Sequence, residues 1–591
     1  MAVLGRYQWF GKSHELTSAS CKSLRPKPFV IFIKPAHYPY RILVNSMSIS
    51  KGSDRGLDIA LDEYLDACLA RTSQSSDETS PAETRTHLAN LSHPYDLIEN
   101  EYSRVSFFER QIHQAQAAIG ISRNSSWATV PINAIPIEVL GRIFWLVTQT
   151  DPCRLDAWSQ GYERLPKYPV PLTHVCVHWR QIIIGAPSFW THIDVTPLLC
   201  DNESLRNRIQ TFVARTGDSL LDIHIISPYP TDEYWEASGL NEFLAPLTPR
   251  MRSLDLDFQL DYTAYYDAGP QAREFCSSIL SNCLGNHVPG TLTQVSLKAA
   301  VEYSFLEAVE NACGEYDIPV GVSASHLENI WHSVTVLRLK DLFPSWKSNA
   351  YSGLVELSLG LFSQCDTSIT ERCLARIMTS SPRLRVLEFG LPIVPEDIPC
   401  EGVLLSYLSS LTLQPTTISD LEVIFRLLVT SQALNQTIYA PIGNPDETYN
   451  STVEARRFFA RSKTTALHLV GIKSYLKLLE LMDTPQTLTI SMYSSDDANT
   501  ILAHGNPGAL RLERLNLLCV GRFRLEINDL LDLVRLYAPR HLLSWGIDYI
   551  DSDKDAQYRN IIQELSILGT SAKMDFSDPP YPSEYSFMSF E

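Results

Sequence analysis

The sequence predicts a multi-domain α/β protein, in which a small all-α module precedes a longer α/β solenoid of alternating strands and helices. Three observations support this prediction. The chain has 591 residues, which exceeds the size of an ordinary single domain. Apolar residues between positions 135 and 190 follow helical spacing, and from about position 220 a shorter apolar pattern recurs along the chain.

The composition is typical of a globular protein with an acidic surface. Hydrophobic residues make up 45% and charged residues 20%, so a sizeable core is available. The net charge of −18 argues against nucleic acid or an anionic membrane as the main partner. No apolar run approaches the roughly 20 residues that cross a bilayer, and the 12 cysteines include no Cys-x-x-Cys pair. We therefore expect a protein of the reducing cytoplasm or nucleus, with no membrane and no nucleic-acid partner.

Residues 1–95 are expected to form a largely disordered N-terminal region. Residues 1–46 are basic and contain one acid, Glu15. This composition allows a mitochondrial transit peptide, a disordered tail, or an extension upstream of a functional start at Met47, but four prolines oppose the amphipathic helix of a transit peptide. Residues 96–130 follow as an amphipathic leading helix, because apolar side chains alternate three and four residues apart at Val105, Phe108, Ile112, Ala115 and Ile119.

Residues 131–195 are predicted to form the all-α module. One apolar stripe runs from Leu140 to Val147, and a second begins at Leu172 and includes Val175, Cys176, Trp179 and Ile183. Pro187 should end the second helix, and an insertion at about 148–171 should form a surface loop between the two. Helices this short bury little surface, so the module needs either the rest of the chain or another protein to complete it.

Three separated blocks of this module resemble the F-box family. They read Ile135-Pro136-Ile137-Glu138-Val139-Leu140-Gly141-Arg142-Ile143-Phe144, then Val175-Cys176-Val177-His178-Trp179-Arg180, then Pro187-Ser188-Phe189-Trp190. With its insertion, the module is similar to the F-box-like variants of fungal proteins. The resemblance implies docking on a Skp1-like linker protein, and through it on a cullin, by Ile135, Pro136, Val139, Leu140, Ile143, Phe144, Val175, Trp179, Pro187 and Trp190. Some of these residues must instead face the core of the module, and the sequence does not separate the two groups.

A second pattern, apolar-x-x-apolar-x-apolar, predicts strands between residues 200 and 570. Copies start at Leu220, Met251, Leu292, Val334, Leu354, Leu384, Leu408, Leu512 and Leu542, and weaker copies centre on Leu467/Leu469 and Leu488/Ile490. Capping-box sequences that begin at Ser368 and Ser419 are expected to open helices between strands. Such strand-helix units resemble degenerate leucine-rich repeats, whose stacking makes one continuous core. The alternative is an ordinary α/β domain with leucine-rich strands. Residues 571–591 are expected to form a loosely held tail.

The remaining positions of each copy point away from the apolar ones, which predicts a mixed-charge surface that suits a protein substrate. The candidate substrate-binding residues are Arg338, Glu356, Arg385, Glu388 and Arg514. His174 and His178 have the spacing of metal ligands on one helix face, but Val175 replaces the glutamate of the zinc-protease motif. We expect no catalytic residue, metal or cofactor.

The F-box resemblance therefore implies a non-enzymatic adaptor that recruits a protein substrate to an SCF-type (Skp1-cullin-F-box) ubiquitin ligase. One alternative is a leucine-rich-repeat scaffold for protein interactions, whose F-box-like module is only a structural cap. Another is an enzyme with an unrecognised site, which would show a deep pocket lined by converging ionisable groups.

Overall fold

The computed structural model describes most of the chain beyond residue 91. The described residues are 92–125, 130–149, 169–197, 202–227, 238–258, 265–299, 305–312, 314, 317–361, 367–440, 453–471, 478, 481, 485–504, 512–519, 525–545 and 554–575. The chain divides into two units, Met1–Ala115 and Gln116–Glu591. The expectations for residues 1–91, for most of the insertion and for the tail after 575 lie outside the described residues.

The helices of the described residues alternate with strands through most of the second unit. Their bounds are Ser92–Ser125, Ile137–Gln149, Val170–Thr173, Val177–Gly185, Glu203–Arg215, Ser238–Leu244, Tyr265–Gly285, Ala324–Trp331, Glu371–Ser380, Ile418–Leu427, Val453–Arg461, Ser495–His504, Ile527–Tyr537 and Lys554–Ile567. Among the residues that the structure describes, no helix is long and apolar enough to cross a membrane.

The predicted leading helix corresponds to the helix Ser92–Ser125, which starts and ends a few residues earlier than expected. Val105, Phe108 and Ile112 of the predicted apolar stripe are all exposed.

The strands follow one another along the chain as β1 to β21. Their bounds are His192–Val195, Leu221–Ser227, Met251–Phe258, Gln294–Ala299, Phe305–Ala308, Ile318–Val320, Val336–Lys340, Phe343–Pro344, Glu356–Gly360, Ile369–Thr370, Val386–Phe389, Ile393–Val394, Val403–Leu405, Ser410–Leu413, Leu428–Thr430, Ala433–Tyr439, Lys463–Val470, Thr487–Met492, Arg514–Cys519, His541–Trp545 and Ser571–Asp575.

Fourteen of these strands form one parallel sheet, in the order β1-β2-β3-β4-β7-β9-β11-β14-β16-β17-β18-β19-β20-β21. Parallel neighbours cannot be joined by a tight hairpin, so the chain crosses over between strands, in most cases through a helix. Smaller parallel sheets pair β10 with β12, β13 with β15, and β5 with both β6 and β8. The fold class is therefore mixed α/β, as the sequence predicted.

The recurring apolar pattern places its leucines in register across the sheet. Leu337 of β7 pairs with Leu357 of β9, which pairs with Leu387 of β11, and Leu387 pairs with Leu411 of β14. All four are buried. Because side chains alternate between the two faces of a strand, this register puts a continuous apolar layer on one face of the sheet. The helices that follow the strands supply the other side of this core.

The helices predicted from capping boxes are present, but their N-caps differ from the expectation. The helix Glu371–Ser380 is capped by Thr370, whose hydroxyl accepts from the backbone N–H of Cys373. The helix Ile418–Leu427 is capped by Thr417, which forms a reciprocal capping box with Asp420. The predicted N-caps Ser368 and Ser419 are therefore each wrong by two residues. Thr370 and Thr417 have extended backbone at the residue before each helix, and their hydroxyls accept the hydrogen bond that a serine would accept.

Two copies of the apolar pattern depart from the strand register. The copy at Leu220 departs only at its first position, since Ile223 and Ile225 pair with Leu254 and Leu256, whereas the copy at Leu542 departs throughout its described positions. Leu220 is exposed, and it is Leu221 that pairs with Met251 next to a β-bulge. Leu542 pairs with Leu515 and so occupies the second apolar position of its copy, not the first. A bulge or a one-turn change in a connection shifts the phase, and the apolar pattern alone does not reveal it.

Three strands of the sheet were not predicted as copies. β1 lies within the range assigned to the helical module, and β21 lies at Ser571–Asp575, where a loose tail was expected. β16 fills the wide gap between the copies at Leu408 and Leu467, with Gln436 buried in register with Leu411 and Leu467. The apolar pattern did not predict β16, because the polar Gln436 occupies the position where the other strands have an apolar residue.

Candidate functional site

The helical module has its own small core. Leu140 and Phe144 from the first helix, Leu172 from the short helix Val170–Thr173, and Ile182 and Ile183 from the next helix are all buried against Trp190. The rings of Phe144 and Trp179 lie 4.5 Å apart. Three of the predicted docking residues, Leu140, Phe144 and Trp190, are therefore core residues and offer no side-chain surface to a partner.

The predicted second helix is broken in the middle. Val170–Thr173 is one helical turn, and the helix resumes at Val177, where the Cys176 sulfur accepts a weak hydrogen bond from the Trp179 backbone N–H. His174 lies in the break and His178 in the following helix, so the two imidazoles do not share one helix face. The expectation of a single helix was wrong because apolar spacing continues through the break.

Apolar side chains are exposed in the first turn of the first helix, in the break, and on the helix that follows it. Ile137 and Val139 lie in the first turn of one helix, Val175 lies in the break, and Val177 and Ile184 lie on the next helix. Each is between 41% and 52% exposed. We call these five residues the exposed apolar set. It includes two of the predicted docking residues.

The remaining predicted docking residues lie at the edge of the module or on its surface. Pro136 and Pro187 are exposed, whereas Ile135, Ile143 and Trp179 are partly buried. The Trp179 indole donates to Asn133 Oδ1 at 3.1 Å, which holds the ring across the entrance to the first helix. The structure thus separates the predicted residues into inward, edge and outward groups.

Trp190 connects the module to the first layer of the sheet. Its indole N–H donates to the carbonyl of Ile183 at 2.8 Å, its ring contacts Phe212 edge-on at 5.0 Å, and the Arg215 guanidinium lies 4.2 Å above it. Phe212 and Arg215 belong to the helix Glu203–Arg215, outside the predicted module. The core of the module therefore depends on residues beyond position 195.

A second candidate surface runs across the sheet on the face opposite the leucines. Register pairs join one residue from each strand into a line that we call the central row: Asp194, His224, Asp255, Ser296, Arg338, Ser358, Glu388, Thr412, Thr437, His468, Thr489, Asn516, Leu543 and Lys573. All but Leu543 are polar or charged. The central row follows the line of polar positions that the sequence predicted, but it is not a continuous exposed surface. Five of its members are buried: His224, Ser296, Ser358, Thr489 and Asn516.

The predicted substrate-binding residues lie on or beside the central row. Arg338 donates to Glu356 Oε1 at 2.6 Å, and Glu388 accepts from the Ser358 hydroxyl at 2.9 Å. Arg385 and Arg514 are exposed at the starts of β11 and β19. Hydrogen bonds within the sheet therefore occupy the charged groups of Arg338, Glu356 and Glu388. The guanidinium groups of Arg385 and Arg514 face solvent.

Near the last strands, the same face has a shallow cavity of about 280 Å³. It is lined by Arg514, Asn516, His541, Leu542, Leu543, Ser571, Ala572 and Lys573. Its lining combines three basic side chains with apolar ones, and it lies on strands rather than in a closed cleft.

No protein-family model matches this chain, and no curated protein matches it significantly. The fold alone defines the class of protein. It is a mixed α/β chain whose second unit contains a small helical module with its own core, followed by a large parallel sheet.

Proposed function

We propose that this chain is a non-enzymatic adaptor of an SCF-type ubiquitin ligase. In this proposal the helical module is an F-box-like domain that docks on a Skp1-like linker, and through it on a cullin. The parallel sheet is a degenerate leucine-rich-repeat solenoid that binds a protein substrate along the central row. The adaptor would raise the concentration of substrate near a ubiquitin-loaded enzyme held elsewhere in the complex.

The exposed apolar set is the observation that carries this proposal. The core of the module is already closed by Leu140, Phe144 and Trp190, yet the side chains of the exposed apolar set, and Leu146 on the first helix, remain about half exposed. Burial of each half-exposed valine or isoleucine would contribute roughly 1 kcal/mol, or roughly 5 kcal/mol together. A micromolar complex has a binding free energy of about 8 kcal/mol, so docking would need contacts beyond the exposed apolar set.

The alternative function is a leucine-rich-repeat scaffold whose module is only a structural cap. The packing of Trp190 on Phe212 and Arg215 favours it, because a cap must contact the layer that it covers. A pure cap, however, has no need of apolar side chains on its outer surface. The two functions therefore differ in what the exposed apolar set does.

The first experiment measures binding of purified Skp1-like protein to the full chain by titration calorimetry. Val139→Asp combined with Val175→Asp places charge on the exposed apolar set without entering the core. Val394→Asp is the matched control, since Val394 is as exposed as Val175, at 48%, but lies on β12. Wild type and control should bind with micromolar affinity or better, and the double variant at least about 10-fold more weakly.

Failure of the wild-type chain to bind at micromolar concentration would leave the scaffold as the better account. Equal binding by all three proteins would remove the exposed apolar set from the interface. Substitutions at Leu140 or Phe144 do not test docking, because both side chains are buried and a charge there would unfold the module.

A second experiment separates substrate binding from docking. Arg385→Glu reverses an exposed charge immediately before β11, beside the central row. Arg383→Glu makes the same change at another exposed arginine, two residues further from the strand. Quantitative affinity capture should show a protein that the wild-type chain, the Arg383 variant and the Val139/Val175 variant all retain, and that the Arg385 variant loses. Loss in both arginine variants, or in neither, would count against the row as the substrate surface.

A further inference from the structure

Two histidines and one aspartate meet at the first edge of the parallel sheet. Asp194 Oδ1 lies 3.1 Å from Nε2 of His192 and 3.1 Å from Nδ1 of His224. One potential ligand atom from each residue lies within 4.8 Å of the other two. His224 and Asp194 are largely buried, whereas the His192 side chain is 44% exposed.

The local fold explains why these three side chains converge. His192 and Asp194 are two residues apart on β1, so both point to the face opposite the buried Ile193 and Val195. His224 on β2 is the register partner of Asp194. The arrangement therefore rests on strand pairing, which fixes backbone positions more firmly than a loop does.

No sequence pattern predicted this cluster. The signal was a His-x-Asp alternation at His192, followed by an isolated histidine thirty-two residues later in a strand of the same sheet. The alternation was hidden because β1 lay within the range assigned to helices, and nothing in one sequence indicates that β1 and β2 are adjacent.

The donor atoms have the chemistry and spacing of a transition-metal site. Zinc binds imidazole nitrogen at about 2.0–2.1 Å and carboxylate oxygen at about 2.0–2.2 Å. Tetrahedral ligands at those lengths stand about 3.3 Å apart, close to the two 3.1 Å separations around Asp194 Oδ1. Binding requires each imidazole to carry its proton on its other nitrogen, a tautomer change that keeps the ring neutral.

Asp194 would supply the negative charge of this donor set, since an aspartate carboxyl is ordinarily ionised at neutral pH. One opposing charge lies nearby: Arg208, on the helix Glu203–Arg215, is close enough for Asp194 to influence its pKa. This guanidinium would weaken the attraction of a second cation but does not remove any of the three donors.

We propose that His192, Asp194 and His224 bind one divalent first-row transition-metal ion, with Zn²⁺ the best match to two imidazoles and a carboxylate. Solvent or a fourth donor would complete the coordination on the exposed side, next to His192. The ion would tie the edge strand β1 to β2. This site uses none of the docking residues. Asp194 and His224 begin the central row, but the metal proposal rests on the geometry of the three side chains and does not require substrate binding.

The test uses the purified full chain, dialysed against metal-free buffer after incubation with Zn²⁺ and analysed for bound zinc by mass spectrometry. His192→Ala removes an exposed ligand, and Asp194→Asn keeps the side-chain shape while removing its charge. His541→Ala is the matched control, because the His541 side chain on β20 is similarly exposed, at 52%. A hydroxyl and a carboxylate lie near it, but among the described residues it belongs to no group of potential metal ligands.

We expect one zinc equivalent in wild type and in the His541 variant. The two cluster variants should bind zinc more than about 10-fold more weakly, since loss of even an outer partner of a metal ligand costs roughly 10–100-fold. Arg208→Gln should bind zinc at least as tightly as wild type. Zinc should also raise the thermal midpoint of wild type but not of His192→Ala.

Three results would overturn the proposal. The first is wild-type protein that retains no zinc. The second is zinc content that is equal in wild type and both cluster variants. The third is a thiolate charge-transfer band in the spectrum of the Co²⁺-substituted protein, because that band would place the ion on cysteine sulfur. In the first two cases His192, Asp194 and His224 form a hydrogen-bonded triad only.

Discussion

The carboxylate of Glu371 and the guanidinium of Arg426 lie 2.7 Å apart, although 55 residues separate them in the chain. The Glu371 side chain is fully buried and also accepts from the backbone N–H groups of Cys400 and Glu396. It therefore ties the start of one helix to the next helix and to the loop between them. Burial alone would raise the pKa of Glu371, but hydrogen bonds from Arg426 and the two N–H groups hold it below the ordinary value.

The first prediction is that Glu371→Gln destabilises the protein by about 3 kcal/mol, because it leaves Arg426 without its partner in a partly buried site. Chemical denaturation at pH 7 provides the measurement. Glu454→Gln is the control, since Glu454 pairs with the exposed Arg457 on one helix and should change stability by less than about 0.5 kcal/mol. The lowered pKa of Glu371 means that its contribution is present above its unfolded pKa and is lost as the pH falls. The difference from wild type should therefore shrink in acid.

The second prediction concerns the contact between Trp190 and Phe212. Phe212→Ala removes the ring that packs edge-on against Trp190 and should cost about 2 kcal/mol, because Phe212 is only partly buried. Limited proteolysis should show faster cleavage between residues 185 and 192 in this variant. Phe212→Leu, which keeps much of the apolar area, should be cleaved at a rate closer to wild type. Equal cleavage of all three proteins would mean that the helical module does not depend on this contact.

The third prediction is a pH effect at His468. Burial lowers the pKa of His468 to about 4, and its Nε2 lies 2.9 Å from the Ser491 hydroxyl. A histidine whose folded pKa lies below its unfolded value of about 6.5 favours folding when neutral, so stability falls as the pH drops from about 6.5 towards 4. His468→Gln should reduce this slope by about 1 kcal/mol per pH unit. Denaturation curves at several pH values measure the slope, and the exposed His541→Gln should leave it unchanged.

The fourth prediction is that Gln436→Leu stabilises the protein by about 1 kcal/mol. Gln436 occupies an apolar position of β16, and its Oε1 has no hydrogen-bond partner among the described residues. Leucine would lose the 3.1 Å hydrogen bond to Thr464 but would remove a buried unpaired oxygen and add apolar burial. Gln436→Ala should instead destabilise by leaving a cavity. A thermal midpoint for the leucine variant below that of wild type would contradict this reasoning.

The apolar pattern predicted most strands of the large sheet because the signal is local. A strand that covers a core repeats its apolar residues within five or six positions, as at Leu384, Leu387 and Phe389, and no distant contact is needed to recognise it. The pattern failed at Gln436, where a polar residue took an apolar position, and at Leu220 and Leu542, where the phase changed. Gln436 is in register but polar, whereas a bulge in β2 and a shift of β20 change the phase at Leu220 and Leu542.

The candidate sites divide in the same way. Helical spacing identified Leu140, Phe144 and Val175 as apolar positions of a small module, since spacing reports that a residue is apolar and periodic. Whether such a side chain faces inward, as Leu140 does, or outward, as Val175 does, depends on where the neighbouring helix breaks and what packs behind it. The convergence of His192, Asp194 and His224, and the pairing of Glu371 with Arg426, likewise required coordinates. Each cluster joins residues that are far apart in the chain. Strand order and helix packing bring them together, and neither can be predicted from a single stretch of sequence.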